Sequence, residues 1–154
     1  MKIRKVTEKD ILNIVILNRG LREHHKKIDS YYSDKNNADD IWAEYAEKCL
    51  KNENTAFYLA EEDGRSIGYI KGKIVERPPV YETTRIGEVA SAFVIEEYRN
   101  KGVMQKLIEK LFEWFRSKNI KYVELNVDSR NEIGVKTWRN LGFEEFQLRM
   151  IARL

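Results

Sequence analysis

Val94-Ile95-Glu96-Glu97-Tyr98-Arg99-Asn100-Lys101-Gly102-Val103-Met104-Gln105 is the stretch on which the fold turns. Before it, Arg85 to Ile95 is an extended run rich in Val, Ala and Phe. After it, Val103, Leu107, Leu111, Trp114 and Phe115 keep a helical period from Lys101 to Lys118, with Gln105, Lys106, Glu109, Lys110 and Glu113 on the other side. A helix that opens straight after a strand presents unpaired N–H groups and the positive end of its dipole, so it is a ready anion site. Gly102 lets the backbone approach a phosphate closely, and Arg99 and Lys101 place two positive charges beside it. A plain strand-to-helix turn with solvent-facing cations has the same appearance. No Gly-Lys-Ser/Thr follows a glycine-rich loop and no G-x-G-x-x-G surrounds Gly102, so nucleotide hydrolase and dinucleotide oxidoreductase readings fall.

Outward from this turn, Asn119-Ile120 leads into a strand over Tyr122 to Val127, which makes a strand-helix-strand crossover with parallel flanking strands. Asn131 caps a short helix ending at Leu141, Gly142 closes it in the left-handed region, and Phe143 to Ala152 is a last extended segment. Upstream, Ala56 to Glu61 and Ile67 to Val75 flank Asp63-Gly64, the dipeptide of a two-residue hairpin turn, and Pro78-Pro79 marks a loop. Lys2 to Val6 reads as an edge strand. Thr7 and Asp10 have capping-box spacing for a first helix with Ile11, Ile14, Val15 and Leu21 on its apolar face. A second helix carries Ile41, Trp42, Tyr45 and Cys49 on one stripe.

The 154 residues suffice for one domain, taken as 1–154, and 42% hydrophobic with 34% charged residues excludes a disordered chain. The net charge of +3 suits an anionic ligand, but Lys and Arg are interspersed with Asp and Glu, which argues against a nucleic-acid partner. Cys49 is the only cysteine, so no intramolecular disulfide and no Cys/His zinc spacing exists, and no metal is expected. No run is long enough to span a membrane and no apolar signal core follows Met1, so a cytoplasmic location without membrane contact is expected.

Two segments together resemble the GNAT (Gcn5-related N-acetyltransferase) superfamily. Val94 to Val103 is similar to its end-of-strand valine and the Gln/Arg-x-x-Gly-x-Gly/Ala turn that follows. Asn131-Glu132-Ile133-Gly134, Trp138 and Gly142-Phe143 resemble its second motif. Met104 stands where the family usually has Gly or Ala, and Trp138 where it usually has Tyr. The resemblance implies an α/β (α+β) fold with a mixed, mostly antiparallel central sheet of about six to seven strands. About four helices flank it, and the parallel strand-helix-strand unit holds the cofactor. It implies an acetyl-CoA-dependent N-acetyltransferase in which the amides of Asn100, Lys101, Gly102, Val103, Met104 and Gln105 bind pyrophosphate. Phe93, Val94 and Ile95 would pair with the pantetheine arm, and Asn131 would steady it.

Acetyl transfer requires a neutral amine, a donor for the developing oxyanion and a departing thiol. By the two-residue period Ile86, Glu88, Ala90, Ala92 and Val94 share one face, on which an apolar setting would raise the carboxyl pKa of Glu88 and suit it as base. Glu88 six positions before the valine also resembles one catalytic branch of the family; the alternative is a solvated carboxylate paired with Arg85. An N–H near Val94 or Ile95 supplies the oxyanion contact. Trp138 can donate a hydrogen bond to sulfur but cannot ionise as an acid, and packing of its helix is the other reading. His24-His25 is either an alternative base or a surface pair at a helix end.

The direct alternative to an enzyme is a catalytically silent acyl-CoA-binding sensor, to which Trp138 and Met104 point. An RNA-binding sheet using Tyr58 and Tyr69 is disfavoured by the intervening acids. For the acceptor, a small-molecule or peptide amine is expected; Glu23, Asp29, Asp34, Asp39 and Asp40 either attract a cationic amine or only solubilise a loop. A homodimer is compatible with the sequence.

Overall fold

The computed structural model describes all 154 residues. Its sheet has five strands in sequence order: β1 (Lys2–Lys5), β2 (Thr55–Glu62), β3 (Arg65–Glu76), β4 (Arg85–Val94) and β5 (Val123–Leu125). β1 to β4 are antiparallel neighbours, and β5 joins β4 in parallel. The β2–β3 turn is built as the Asp63-Gly64 dipeptide demands, with φ of 49° and 77°.

Alternation divides the sheet residues between two cores. On one face lie α1 (Ile11–Ile28) and α2 (Ala38–Leu50), where Ile14, Leu17, Ala46, Phe57, Leu59 and Tyr69 are buried. On the other lies α3 (Val103–Ser117), whose Leu107, Leu111 and Phe115 pack on Ala60, Ile70 and Val89. The close fit of α3 depends on bare backbone below it: a Cβ at Gly87 would lie 2.6 Å from Phe115 Cε1. The short α4 (Glu132–Asn140) adds Trp138, and Leu141 and Phe143 follow it onto the α3 side.

The first helix is anchored from its entry. Asp10 Oδ2 accepts from both Thr7 N and Thr7 Oγ1 at 2.8 Å, and the Arg4 guanidinium bridges Asp10 (2.7 Å) to Glu61 (2.6 Å). One expectation fails: there are five strands, not six to seven, because residues 144–154 make no backbone hydrogen bond and join no ladder. Their alternating pattern is that of a strand, yet a strand needs a neighbour, and within this chain none is aligned with it.

Candidate functional site

The site is organised by an irregularity in β4. Lys71 pairs with Ser91 and Gly72 with Val89, which leaves Ala90 as an extra residue. Such a bulge bends the strand and ends regular pairing. β5 pairs only with Gly87–Val89, so the two parallel strands part where the bulge begins. Beyond it the Ile95 N–H donates to Ile67 O at 3.0 Å. By antiparallel alternation the backbone groups of Ala92 and Val94 therefore point away from β3, into the wedge between the strands. Of the expected trio Phe93, Val94 and Ile95, Val94 alone offers backbone groups to the wedge. The Phe93 ring seats on α1 at Gly20, where an added Cβ would lie 2.7 Å from it.

At the tip of the wedge the chain enters α3 through two left-handed residues, Asn100 (φ 59°) and Gly102 (φ 74°). Alternating left-handed residues turn successive amides toward one side and form an anion-binding concavity. None of the six N–H groups from Asn100 to Gln105 donates to a protein acceptor; the first helical bond here is Lys106 N–H to Gly102 O, 3.1 Å. Met104 is partly buried and packs against the core beneath α3. Lys101 Nζ lies 5.1 Å from the centre of the Tyr98 ring, beside the turn. Arg99 is used differently from expectation: its Nε donates to Val94 O at 3.0 Å and its guanidinium lies over Phe93, so it braces the end of β4.

The bulge also overturns the expected grouping of Ile86, Glu88, Ala90, Ala92 and Val94 on one apolar face. Val94 and Val89 face α3 while Glu88 faces the α1–α2 side, because one extra residue inverts the alternation between them. There Glu88 Oε1 lies 3.0 Å from Lys73 Nζ, and its side chain is 28% exposed. Its ion-pair partner is Lys73, not Arg85. Nearby, Lys71 is 2% exposed and donates to Tyr45 Oη while lying 3.9 Å from the centre of that ring. Burial lowers the Lys71 pKa, and burial with the neighbouring Cys49 thiol pushes Tyr45 up to about 12. Ser91 hydrogen-bonds the buried Tyr69 hydroxyl, which also accepts from Asn18 Nδ2 at 2.9 Å.

Asn131 stands at the start of α4. Its Oδ1 accepts from Gly134 N at 3.0 Å and lies 3.2 Å from His24 Nε2, so α1 and α4 are joined across the wedge. His25 stacks against Tyr32 with ring centres 5.2 Å apart, and burial followed by its neighbour His24 lowers its pKa. The Tyr32 hydroxyl donates to Asp128 at 2.7 Å, and Arg130 binds Asp128 and Asp29. Trp138 meets Phe143 edge-on at 5.6 Å and packs with the α3 core, the structural alternative for this residue.

The acids expected to attract an amine are largely engaged: Asp34 and Asp39 with Arg22, Arg19 or Lys26, Glu23 with Lys26, and Asp29 with Arg130 and Arg153. Asp34, Asp39 and Glu23 are held by cations of α1, and Asp29 ties the α1–α2 connection to Arg130 and Arg153. No group of three or more His, Cys, Asp or Glu side chains is arranged to hold a metal. Lys71, Lys73, Tyr45 and Ser91 escape sequence reading, because only the register of β3 on β4 and the packing of α2 place them beside Glu88. The two-residue spacing of Tyr69, Lys71 and Lys73 was the available signal.

Residues 19–143 match the acetyltransferase (GNAT) family. An uncharacterized N-acetyltransferase of Methanocaldococcus jannaschii is 27% identical over 158 residues, covering 99% of this chain; the chain spans 66% of that relative's length. Among solved structures, a tetramutant of the BH1408 protein from Bacillus halodurans superposes with a TM-score of 0.90 at 19% identity over the whole of both chains. AAC(6')-Iy in complex with the bisubstrate analog CoA-S-monomethyl-acetylneamine superposes at 0.79 and 21% identity, covering 99% of this chain and 97% of that one. The parted strands, the amide-lined turn and the match over most of the length agree: the chain belongs to the acetyltransferase (GNAT) family.

Proposed function

We propose that this protein transfers an acetyl group from acetyl-CoA to a primary amine by direct attack within a ternary complex. One observation carries the reading. Six consecutive N–H groups without protein acceptors, Asn100 to Gln105, lie at the tip of a strand wedge whose β4 edge offers further backbone groups at Ala92 and Val94. The first set suits a pyrophosphate, and the second suits an amide-bearing arm added like a strand.

Acetyl-CoA would supply the activated thioester. The Val94 N–H is the oxyanion donor in this reading, since the Ile95 N–H is engaged by Ile67 O. Glu88 takes the proton released as the amine becomes an amide, while the C–S bond breaks and sulfur departs as thiolate. A thiol pKa of about 8.5 makes that departure feasible without a strong acid, consistent with Trp138 in a packing role. Lys73 Nζ, 3.0 Å from Oε1, positions the Glu88 carboxylate.

The Glu88–Lys73 pair also supports a second reading, a module that binds acyl-CoA without turnover, because the carboxylate is already engaged by a cation instead of standing free to meet an amine. Thiol release from acetyl-CoA, followed across amines that include an aminoglycoside, a polyamine and a peptide with a free N-terminus, separates the two. Amine-dependent thiol release supports transfer. Tight CoA binding with no amine-dependent release across the panel supports the binding module.

A further inference from the structure

Past Leu125 no backbone hydrogen bond joins the β5 line to β4. The far wall of the wedge, residues 126–131, therefore lacks the ladder that sets a strand at a regular distance from its neighbour. Packing holds that wall weakly as well, since α4, which follows it, contains no buried residue. Side chains must fix its place instead.

They come from α1, on the face of the sheet that carries Glu88. At Gly20 this helix lies against β4, where an added Cβ would be 2.7 Å from the Phe93 ring. One turn later on the same helix face, His24 Nε2 lies 3.2 Å from Asn131 Oδ1. α1 thus steps from one wall of the wedge to the other within about 6 Å of its axis. The chain just beyond adds two ties. The Tyr32 hydroxyl, in the turn Ser30–Tyr32, donates to Asp128 Oδ2 at 2.7 Å, and Asp29 Oδ2 accepts from Arg130 at 2.7 Å. All three ties end on the connection between β5 and α4. Tyr32 is itself seated between His25 and Tyr31, at ring distances of 5.2 and 5.3 Å.

The neighbours of His24 assign its proton. Asn131 Oδ1 accepts from the Gly134 N–H at 3.0 Å, which identifies that atom as the oxygen, so His24 Nε2 carries the hydrogen and donates. The other end of the amide lies on the wall of the wedge. A Cβ added at Gly134 would be 2.5 Å from Asn131 Nδ2 and 3.1 Å from Val127 Cγ2, so the bare glycine leaves room for the amide beside the continuation of β5.

On the reading that acetyl-CoA lays its arm in the wedge, we propose that His24 and Tyr32 are positioning residues for the donor. They hold the Asp128–Asn131 wall at a set distance from β4, so that the pantetheine arm enters a slot already formed, with Asn131 Nδ2 available to donate to it. A slot ordered before binding spares the arm the cost of ordering it. His24 is then a strut for the donor and not an alternative base.

The experiment measures Kd on the full chain by calorimetry for two probes. One is CoA; the other is 3′-phospho-ADP, the nucleotide end of CoA with its pyrophosphate and without the arm. Wild type is expected to bind CoA the more tightly. His24→Ala and Tyr32→Phe should each weaken CoA about three- to tenfold, the range of one lost hydrogen bond, and more when combined, while 3′-phospho-ADP stays within about twofold. His24→Gln, whose side-chain amide can still donate to Asn131, should bind CoA within about twofold of wild type. Unchanged CoA binding in the double variant would overturn the proposal. So would equal weakening of both probes, which would make the ties general supports of the fold, or a His24→Gln as impaired as His24→Ala. A wild-type chain that binds CoA no more tightly than 3′-phospho-ADP would overturn it together with the reading of the wedge as the seat of the arm. The expected CoA losses without amine-dependent thiol release would leave the strut standing and remove acyl transfer alone.

Discussion

Lys73 Nζ lies 3.0 Å from Glu88 Oε1 across neighbouring antiparallel strands, with Lys73 and Glu88 directly opposite in register. If Glu88 receives the amine proton, Glu88→Gln should lower kcat by about 100-fold or more, the usual range for a lost general base. Acetyl-CoA affinity should stay within twofold, as measured by calorimetry. Lys73→Met should keep turnover within about tenfold of wild type, since a part-exposed pair contributes only about 0–1 kcal/mol. Equal losses of turnover and CoA affinity in Glu88→Gln would remove Glu88 from the base role.

Gly102 has φ 74°, and a Cβ there would meet no atom within 4 Å, so backbone conformation alone requires glycine. Gly102→Val should cost about 1–2 kcal/mol from the left-handed conformation and more from its branched side chain. It should also raise the Kd for CoA about tenfold or more by tilting the amides of 100–105. Gly102→Asn should keep most of the stability, because Asn tolerates this region. Chemical denaturation and CoA titration of the same samples test both points; an unimpaired Gly102→Val would dissociate the turn from phosphate binding.

Asp10 is 5% exposed and its carboxyl pKa is held well below the usual range, first by the hydrogen bonds from Arg4 and then by those from Thr7. A depressed folded pKa gives stability that is fully present above the unfolded value of about 3.9 and is lost as pH falls through and below it. Melting temperature against pH should therefore drop more steeply below about pH 4 for wild type than for Asp10→Asn. Arg4→Met should cost about 3 kcal/mol at neutral pH by leaving a buried carboxylate with Thr7 alone. Parallel melting curves for wild type and Asp10→Asn down to about pH 2 would contradict this.

At Gly87 the backbone of β4 touches the Phe115 ring, with a hypothetical Cβ only 2.6 Å away. Gly87→Ala should destabilise by about 1–3 kcal/mol through overpacking. Phe115→Leu should return part of that loss when the two are combined, although alone it is destabilising. Urea unfolding of the four proteins in a double-mutant cycle measures the coupling, and strictly additive costs would show that the two residues do not press on each other.

The sequence disclosed most of the frame because its signals were local. The helical period of α3, the Asp63-Gly64 hairpin and the Thr7/Asp10 box each concern residues that are neighbours in the chain, and each appears as expected. The left-handed turn into α3 was legible for the same reason, since Gly102 and the helix start act together over a few residues. What stayed hidden was set by pairing. Nothing near Glu88 announces that Ala90 is surplus, so its face was assigned to the wrong side of the sheet. Lys73 lies fifteen residues away in sequence and becomes its partner only through the β3–β4 register. The extra strand expected from Phe143 to Ala152 failed likewise, because alternation specifies a strand without specifying its neighbour.

The surplus residue Ala90 gives one strand two independent halves. Upstream of it lies Glu88, the residue proposed to meet the amine; downstream, Ala92 and Val94 present main-chain groups whose chemistry is indifferent to side-chain identity. On the proposed function, a lineage could therefore exchange acceptors by substitution in the first half while inheriting the donor's seat unchanged in the second. Deleting Ala90 would fuse the halves into one continuous rhythm that leaves Glu88 on the α1–α2 side and Val94 on the α3 side, and would remove the bend that parts β4 from β5.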